Sequence, residues 1–331
     1  MQPKNDGVAV RQQKRPNTAL LTPLAYAALH SSNPEVPTAL IKAGADIEAR
    51  NIEGRTPLMI AATKNLNPEV ATALIKAGAD IEARDNEGRT PLMGAAARNP
   101  NPEVATVLIK AGADIEARDN EGITPLVFAA LQSSNPEIIT VFVKAGMDVN
   151  GKIDGFTPLM RAASGNSKPE IITALIKAGA NIEARDNYGL SPLAYAALHS
   201  SNPEVPIALI KAGADIEARD NRGFTALTWA AGKNPNPDVM TALIKAGADI
   251  ETRDNRGLTA LIWAAGNNSN PDVITTLIKA GADVNAKSVA GYTAFQLAES
   301  MDRPEAIKAA FKNAGPASMQ GAIGSNSHNP L

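Results

Sequence analysis

A fixed repeat length constrains this chain more than any other feature. A Thr-Pro-Leu-like triplet starts at Thr22, Thr56, Thr90, Thr124, Thr157, Ser191, Thr225, Thr259 and Thr293. The interval is 34 residues, with a single step of 33 between Thr124 and Thr157. A Lys-Ala-Gly marker keeps the same interval from Gly44 to Gly281. The missing residue falls between Gly146 and Thr157, where GMDVNGKIDG replaces the usual GADIEARDNEG. Residues 22–315 are therefore nine copies of one unit, preceded by the arm 1–21 and followed by the tail 316–331. Neither flank is long enough to bury a core, and neither is one unit alone. The copies must stack on one another, each burying its neighbour's apolar face.

The local grammar of one unit is helical. Thr56 is a helix-capping residue and Pro57 occupies the first helical position, where its missing N–H costs nothing. A short first helix over Leu58–Ala62 follows. Asn67-Pro68-Glu69 repeats the start signal, with an acid near the positive end of the helix. Val70, Ala73, Leu74 and Ala77 then recur at helical spacing as one apolar stripe. Lys76 and Gly78 form the stop signal, and Asp85-Asn86-Glu87-Gly88 makes a tight turn into the next Thr. The expected fold is all-α, a solenoid of helix–turn–helix units joined by hairpin loops.

These residues resemble the ankyrin repeat family. The resemblance lies in Thr-Pro-Leu-x-x-Ala-Ala, in Gly-Ala-Asp after the second helix, and in Asp-Asn-x-Gly before the next Thr. It spans all nine units. The family's His three positions after the Thr is absent; Ala25, Met59, Met93, Val127, Met160, Ala194, Thr228, Ile262 and Gln296 stand there. In the family that His helps tie neighbouring units by hydrogen bonds, so its absence bears on the stiffness of the stack rather than on its fold. An Asn-Pro inter-helix turn with one extra residue accounts for the 34-residue length. The tetratricopeptide pattern of Trp, Gly-Tyr and Pro is missing. Leu24–Arg50 and Leu193–Arg219 differ only at Thr38 and Ile207, which points to block duplication.

The ends differ. Pro304–Gly315 carries Glu305, Lys308 and Lys312 and reads as a polar cap. The first unit has an internal-type sequence, so it is expected to fray, with Met1–Thr18 mostly disordered and 316–331 flexible. Hydrogen exchange as slow over Leu24–Ile41 as in the central units would contradict the fraying.

Composition removes most chemistry. With no cysteine and only His30, His199 and His328, there is no thiolate nucleophile and little material for a His-based metal site. Neither phosphate-loop pattern occurs. The Thr column caps helices and has no base beside it, so no enzyme activity and no cofactor are expected. Asp80, Glu82, Asp85, Glu87 and their equivalents form an acidic ladder. It satisfies the turn preference and falls short of a calcium loop. The arm holds Lys4, Arg11, Lys14 and Arg15 against Asp6, leaving the rest of the chain with 28 cations and 33 anions. That balance gives no case for nucleic acid. No apolar run suggests a membrane span or a secretory signal, and the expected location is the cytoplasm.

Function is most visible in where the aromatics fall. Of twelve, eight lie in two columns of the repeat. Four positions after the Thr come Tyr26, Phe128, Tyr195, Trp229 and Trp263; just before it come Phe156, Phe224 and Tyr292. The same helix column also holds Ile60, Gly94, Arg161 and Leu297. It varies, as do the positions seven and eight after the Thr, while their neighbours stay nearly fixed. These offsets share one face of the first helix. The family resemblance implies that this face lines the concave partner surface. The expected partner is another protein, held by Tyr26, Phe128, Arg161, Tyr195, Trp229 and Trp263, with Tyr188, Arg222, Phe224 and Arg256 at the turn tips. Trp, Tyr and Arg are the usual anchors of such interfaces. The chain is expected to be a monomer. The alternative is a spacer that joins end to end through its first unit.

Overall fold

The computed structural model describes residues 21–313. Eighteen helices, α1–α18, alternate along them in two rows. The first helices of the units are α1 (Pro23–His30), α3 (Pro57–Lys64), α5 (Pro91–Arg98), α7 (Pro125–Gln132), α9 (Pro158–Gly165), α11 (Pro192–His199), α13 (Ala226–Lys233), α15 (Ala260–Asn267) and α17 (Ala294–Ser300). The second helices are α2 (Glu35–Lys42), α4 (Pro68–Lys76), α6 (Pro102–Lys110), α8 (Glu137–Lys144), α10 (Pro169–Lys177), α12 (Glu204–Lys211), α14 (Pro237–Lys245), α16 (Pro271–Lys279) and α18 (Glu305–Asn313). Each first helix packs on the next first helix and each second helix on the next second helix. The expected disorder of Met1–Thr18 and flexibility of 316–331 lie outside the described residues.

The caps follow the sequence grammar. Thr56 Oγ1 accepts from Met59 N at 3.3 Å, and Asn67 Oδ1 accepts from Glu69 N at 3.0 Å. α3 runs three residues beyond the expected Leu58–Ala62, since Pro57 starts the helix and Thr63 and Lys64 continue its last turn. Gly88 takes φ +77°, and a Cβ there would collide with the Asn120 side chain of the next unit. Glycine is therefore required by both backbone and packing. Between the two rows lies a continuous core of Leu58, Ala62, Val70 and Leu74 and their equivalents in the second to eighth units, all buried. The alanines of the first helices let neighbouring units approach closely.

Polar rows tie the units where the family's His is absent. Nine positions after the Thr sits an asparagine: Asn65, Asn99, Asn166, Asn234 and Asn268. Asn99 Nδ2 donates to Ala62 O at 2.9 Å and to Asn65 O at 2.8 Å, capping the end of the preceding unit's first helix. Four further rows cross the same junction. Asn101 Nδ2 donates to Leu66 O at 2.8 Å, Arg84 Nη1 to Arg118 O at 2.6 Å, Asp114 N to Glu82 Oε1 at 2.8 Å, and Asn120 Nδ2 to Asn86 O at 3.3 Å. The acidic ladder thus holds backbone N–H groups. Arg50, Arg84, Arg185, Arg219 and Arg253 each donate to a carbonyl of the next unit.

Candidate partner-binding face

The aromatic column owes its position to the hairpin that leads into each first helix. Asp186 opens one such hairpin, and its Oδ1 accepts from Tyr188 N at 2.9 Å and Leu190 N at 2.7 Å. Its Oδ2 accepts from Tyr195 Oη at 2.7 Å. One unit later Asp220 repeats this, with Oδ2 taking the Trp229 Nε1–H at 3.2 Å. A ring four residues after the cap is thereby drawn down onto the Asp nine residues before it. Burial and the Asp186 carboxylate push the Tyr195 hydroxyl well above the usual phenol value. Burial also lowers the titration of His199, whose ring stacks 6.2 Å from Tyr195.

This corrects part of the expected site. Phe128, Tyr195, Phe224 and Trp229 are buried, where the sequence suggested rings presented to a partner. Phe224 is sandwiched between Trp229 at 5.1 Å and Trp263 at 5.0 Å. Lateral packing between units absorbs these rings because stacked first helices leave aromatic-sized gaps over alanine. Arg161 is half-buried over Phe156, 4.2 Å from the ring centroid.

What stays at the surface is a smaller set. Tyr26 and Tyr188 are 60% and 72% exposed, and Trp263 is half-buried. Arg222 lies over Trp229 at 4.5 Å and Phe224 at 4.8 Å, with Nε 3.8 Å from Asp220 Oδ2. Arg256 lies over Trp263 at 5.1 Å, with Nε 3.2 Å from Asp254 Oδ2. Both guanidiniums are oriented by ring and carboxylate together, yet their side chains remain 56% and 58% exposed. The sequence pointed to both arginines; the Asp–aromatic pairs beneath them were missed, though an Asp column at fixed offset was visible.

Trp263 reaches its place through a glycine. A Cβ at Gly232 would collide with its Nε1, so the indole lies directly on α13. Gly232→Ala is expected to displace it. In a Trp229→Phe background the remaining emission should shift to the red; an unshifted spectrum would place the indole elsewhere.

Among the described residues, no group of three or more His, Asp or Glu side chains converges to hold a metal ion, and no helix is long and apolar enough to cross a membrane. The unit is also recognised by comparison. A family model of three ankyrin repeats matches the sequence in eight overlapping windows, from residues 8–85 through to 227–320. The chain belongs to the ankyrin repeat family. Among 544 matching solved chains is the human ASB11 ankyrin repeat domain, with a TM-score of 0.57 at 24% identity. That match covers 69% of this chain and 99% of the ASB11 chain, and shows a shared ankyrin fold. No curated protein matches the sequence. Ankyrin repeats are in general protein–protein interaction modules and typically non-enzymatic.

Proposed function

We propose that this ankyrin stack is a non-enzymatic recognition module that takes a protein partner on its first-helix face and hairpin tips. The observation that carries the reading is the pair Arg222 and Arg256, exposed and held in fixed orientation over a bed of Phe224, Trp229 and Trp263. Tyr188 and Tyr26 extend the surface, and Arg161 borders it. Phe128, Tyr195, Phe224 and Trp229 serve it from below by fixing the hairpins. Pre-oriented side chains lose less entropy on binding than free ones. A cytoplasmic site of action belongs to the same reading, and fractionation of source cells tests it.

The test is paired capture from source-cell lysate, using wild type and a Tyr188→Ala/Arg222→Ala/Arg256→Ala/Trp263→Ala variant matched by circular dichroism. A protein held by the first and lost by the second supports the reading. Equal capture moves the site off this face.

The apolar edge of the first unit favours a second reading. Tyr26 and Val36 are exposed there, beside partly buried Leu40 and Ile41. Such an edge suits end-to-end association. Light scattering across a concentration series decides: a mass that grows supports it, and a constant monomer mass removes it.

A further inference from the structure

Charge on the hairpin tips changes sign along the stack. Three residues before the Thr stand Glu53, Glu87, Glu121 and Asp154 in the first four units, then Tyr188, Arg222 and Arg256. In the acidic half the nearby arginines close on these acids: Arg55 Nη1 is 2.8 Å from Glu53 Oε2, and Arg89 pairs with Glu87. In the column Arg50, Arg84, Arg185, Arg219 and Arg253 each Nη1 is engaged by a carbonyl of the next unit, so none presents both Nη atoms free. Arg222 and Arg256 differ from both sets. Their Nε groups face Asp220 and Asp254, and among the described residues no hydrogen-bond acceptor meets their Nη atoms. The first helices α1 to α15 contribute Lys64, Arg98, Arg161 and Lys233 and no carboxylate.

We propose that the tips of Arg222 and Arg256 are a receptor for an extended acidic segment of a protein partner, each fork taking one carboxylate through its free Nη groups. The proposal rests on the recognition reading above and names its partner chemistry. A planar guanidinium whose plane is already fixed, as the rings fix it here, donates two parallel hydrogen bonds to a carboxylate. Neighbouring packed helices lie about 10 Å apart. A segment extended as polyproline II rises about 3.1 Å per residue and returns a side chain to the same face every third residue. Two carboxylates three residues apart therefore match two forks one unit apart. The same row argues for a short acidic stretch rather than a nucleic acid: a long polyanion would run onto Glu121 and Asp154.

The probe is a fluorescein-labelled 12-residue Ser/Gly peptide with Glu at positions 3, 6 and 9, followed by anisotropy at about 50 mM salt, where such contacts are least screened. The chain's two tryptophans lie directly beneath the forks and report occupancy by their emission. The Glu peptide is expected to bind saturably and to change that emission. Gln replacing Glu in the peptide, or Arg222→Gln/Arg256→Gln in the protein, is expected to weaken binding at least tenfold, while Glu53→Gln/Glu87→Gln leaves it unchanged. Equal binding of the Gln peptide, equal binding by the double arginine variant, or tighter binding of a 12-mer of thymidylate each overturns the proposal. A lysate partner lost with Tyr188→Ala/Trp263→Ala but retained by Arg222→Gln/Arg256→Gln would leave the recognition reading standing and remove only the acidic chemistry.

Discussion

Asn99→Ala is expected to lower the unfolding free energy by about 3 kcal/mol, the cost of leaving buried polar groups without partners. The side chain is 2% exposed and serves three backbone groups at once. Its Nδ2 caps Ala62 O and Asn65 O, and its Oδ1 accepts from Asn101 N at 2.9 Å. Both carbonyls belong to the end of α3, where the last turn has no intrahelical donors left. Alanine at position 99 strips one unit's first helix of its terminal cap and frees the entry to the second helix of the next. Asn99→Asp keeps the shape but sets a carboxylate against two carbonyl oxygens, so it should cost at least as much. Urea unfolding of the full chain measures both. A loss below about 0.5 kcal/mol, the scale of an ordinary surface change, would mean that the amide is dispensable.

Features that the sequence made legible are local ones. Thr56 and Asn67 as caps, Pro57 at the first helical turn, and Gly88 in the left-handed region each act within a few residues of themselves. The asparagine nine after the Thr recurs in five of the nine units, yet the acceptors of Asn99 lie 34 and 37 residues earlier, so its task exists only once two units are stacked. The aromatic column failed for a related reason. Tyr195 and Trp229 change from unit to unit as contact residues do, but each answers an Asp nine residues upstream on a different element. Variation between copies measured what fills the gap between helices as much as what meets a partner. The placement of Arg222 and Arg256 at hairpin tips was legible because, like a cap, it is set by the local turn.

Unfolding of the solenoid is expected to begin at the junction between the third and fourth units. Where the second meets the third, five polar rows cross. Between the third and fourth, among the described residues, only the Asn135 Nδ2 bond to Pro100 O at 2.8 Å remains of the five. Ser133 replaces the capping asparagine, and its hydroxyl bonds Asn135 O within its own unit. Arg118 donates only to Gly122 O of its own hairpin. The 33-residue step removes the Asp that opens the hairpins at Asp85, Asp119, Asp186, Asp220 and Asp254, and Ile153 and Phe156 pair with each other instead. With each net hydrogen bond contributing about 1 kcal/mol, this junction is weaker than its neighbour by about 4 kcal/mol. In a stack whose stability is a sum over nearest neighbours, the weakest interface decides where cooperativity breaks. Both tryptophans lie beyond it, so their emission follows the C-terminal block while far-ultraviolet dichroism follows every helix. The dichroism transition in urea should therefore begin before the emission changes, and amides of the first three units should exchange as one group ahead of the rest. Ser133→Asn returns the cap for Ala96 O and Asn99 O, and it should draw the two transitions together. Coincident transitions in the wild type would mean that apolar packing of Leu126 and Phe128 alone couples the two blocks, and that the polar rows set the register of the stack without setting its cooperativity.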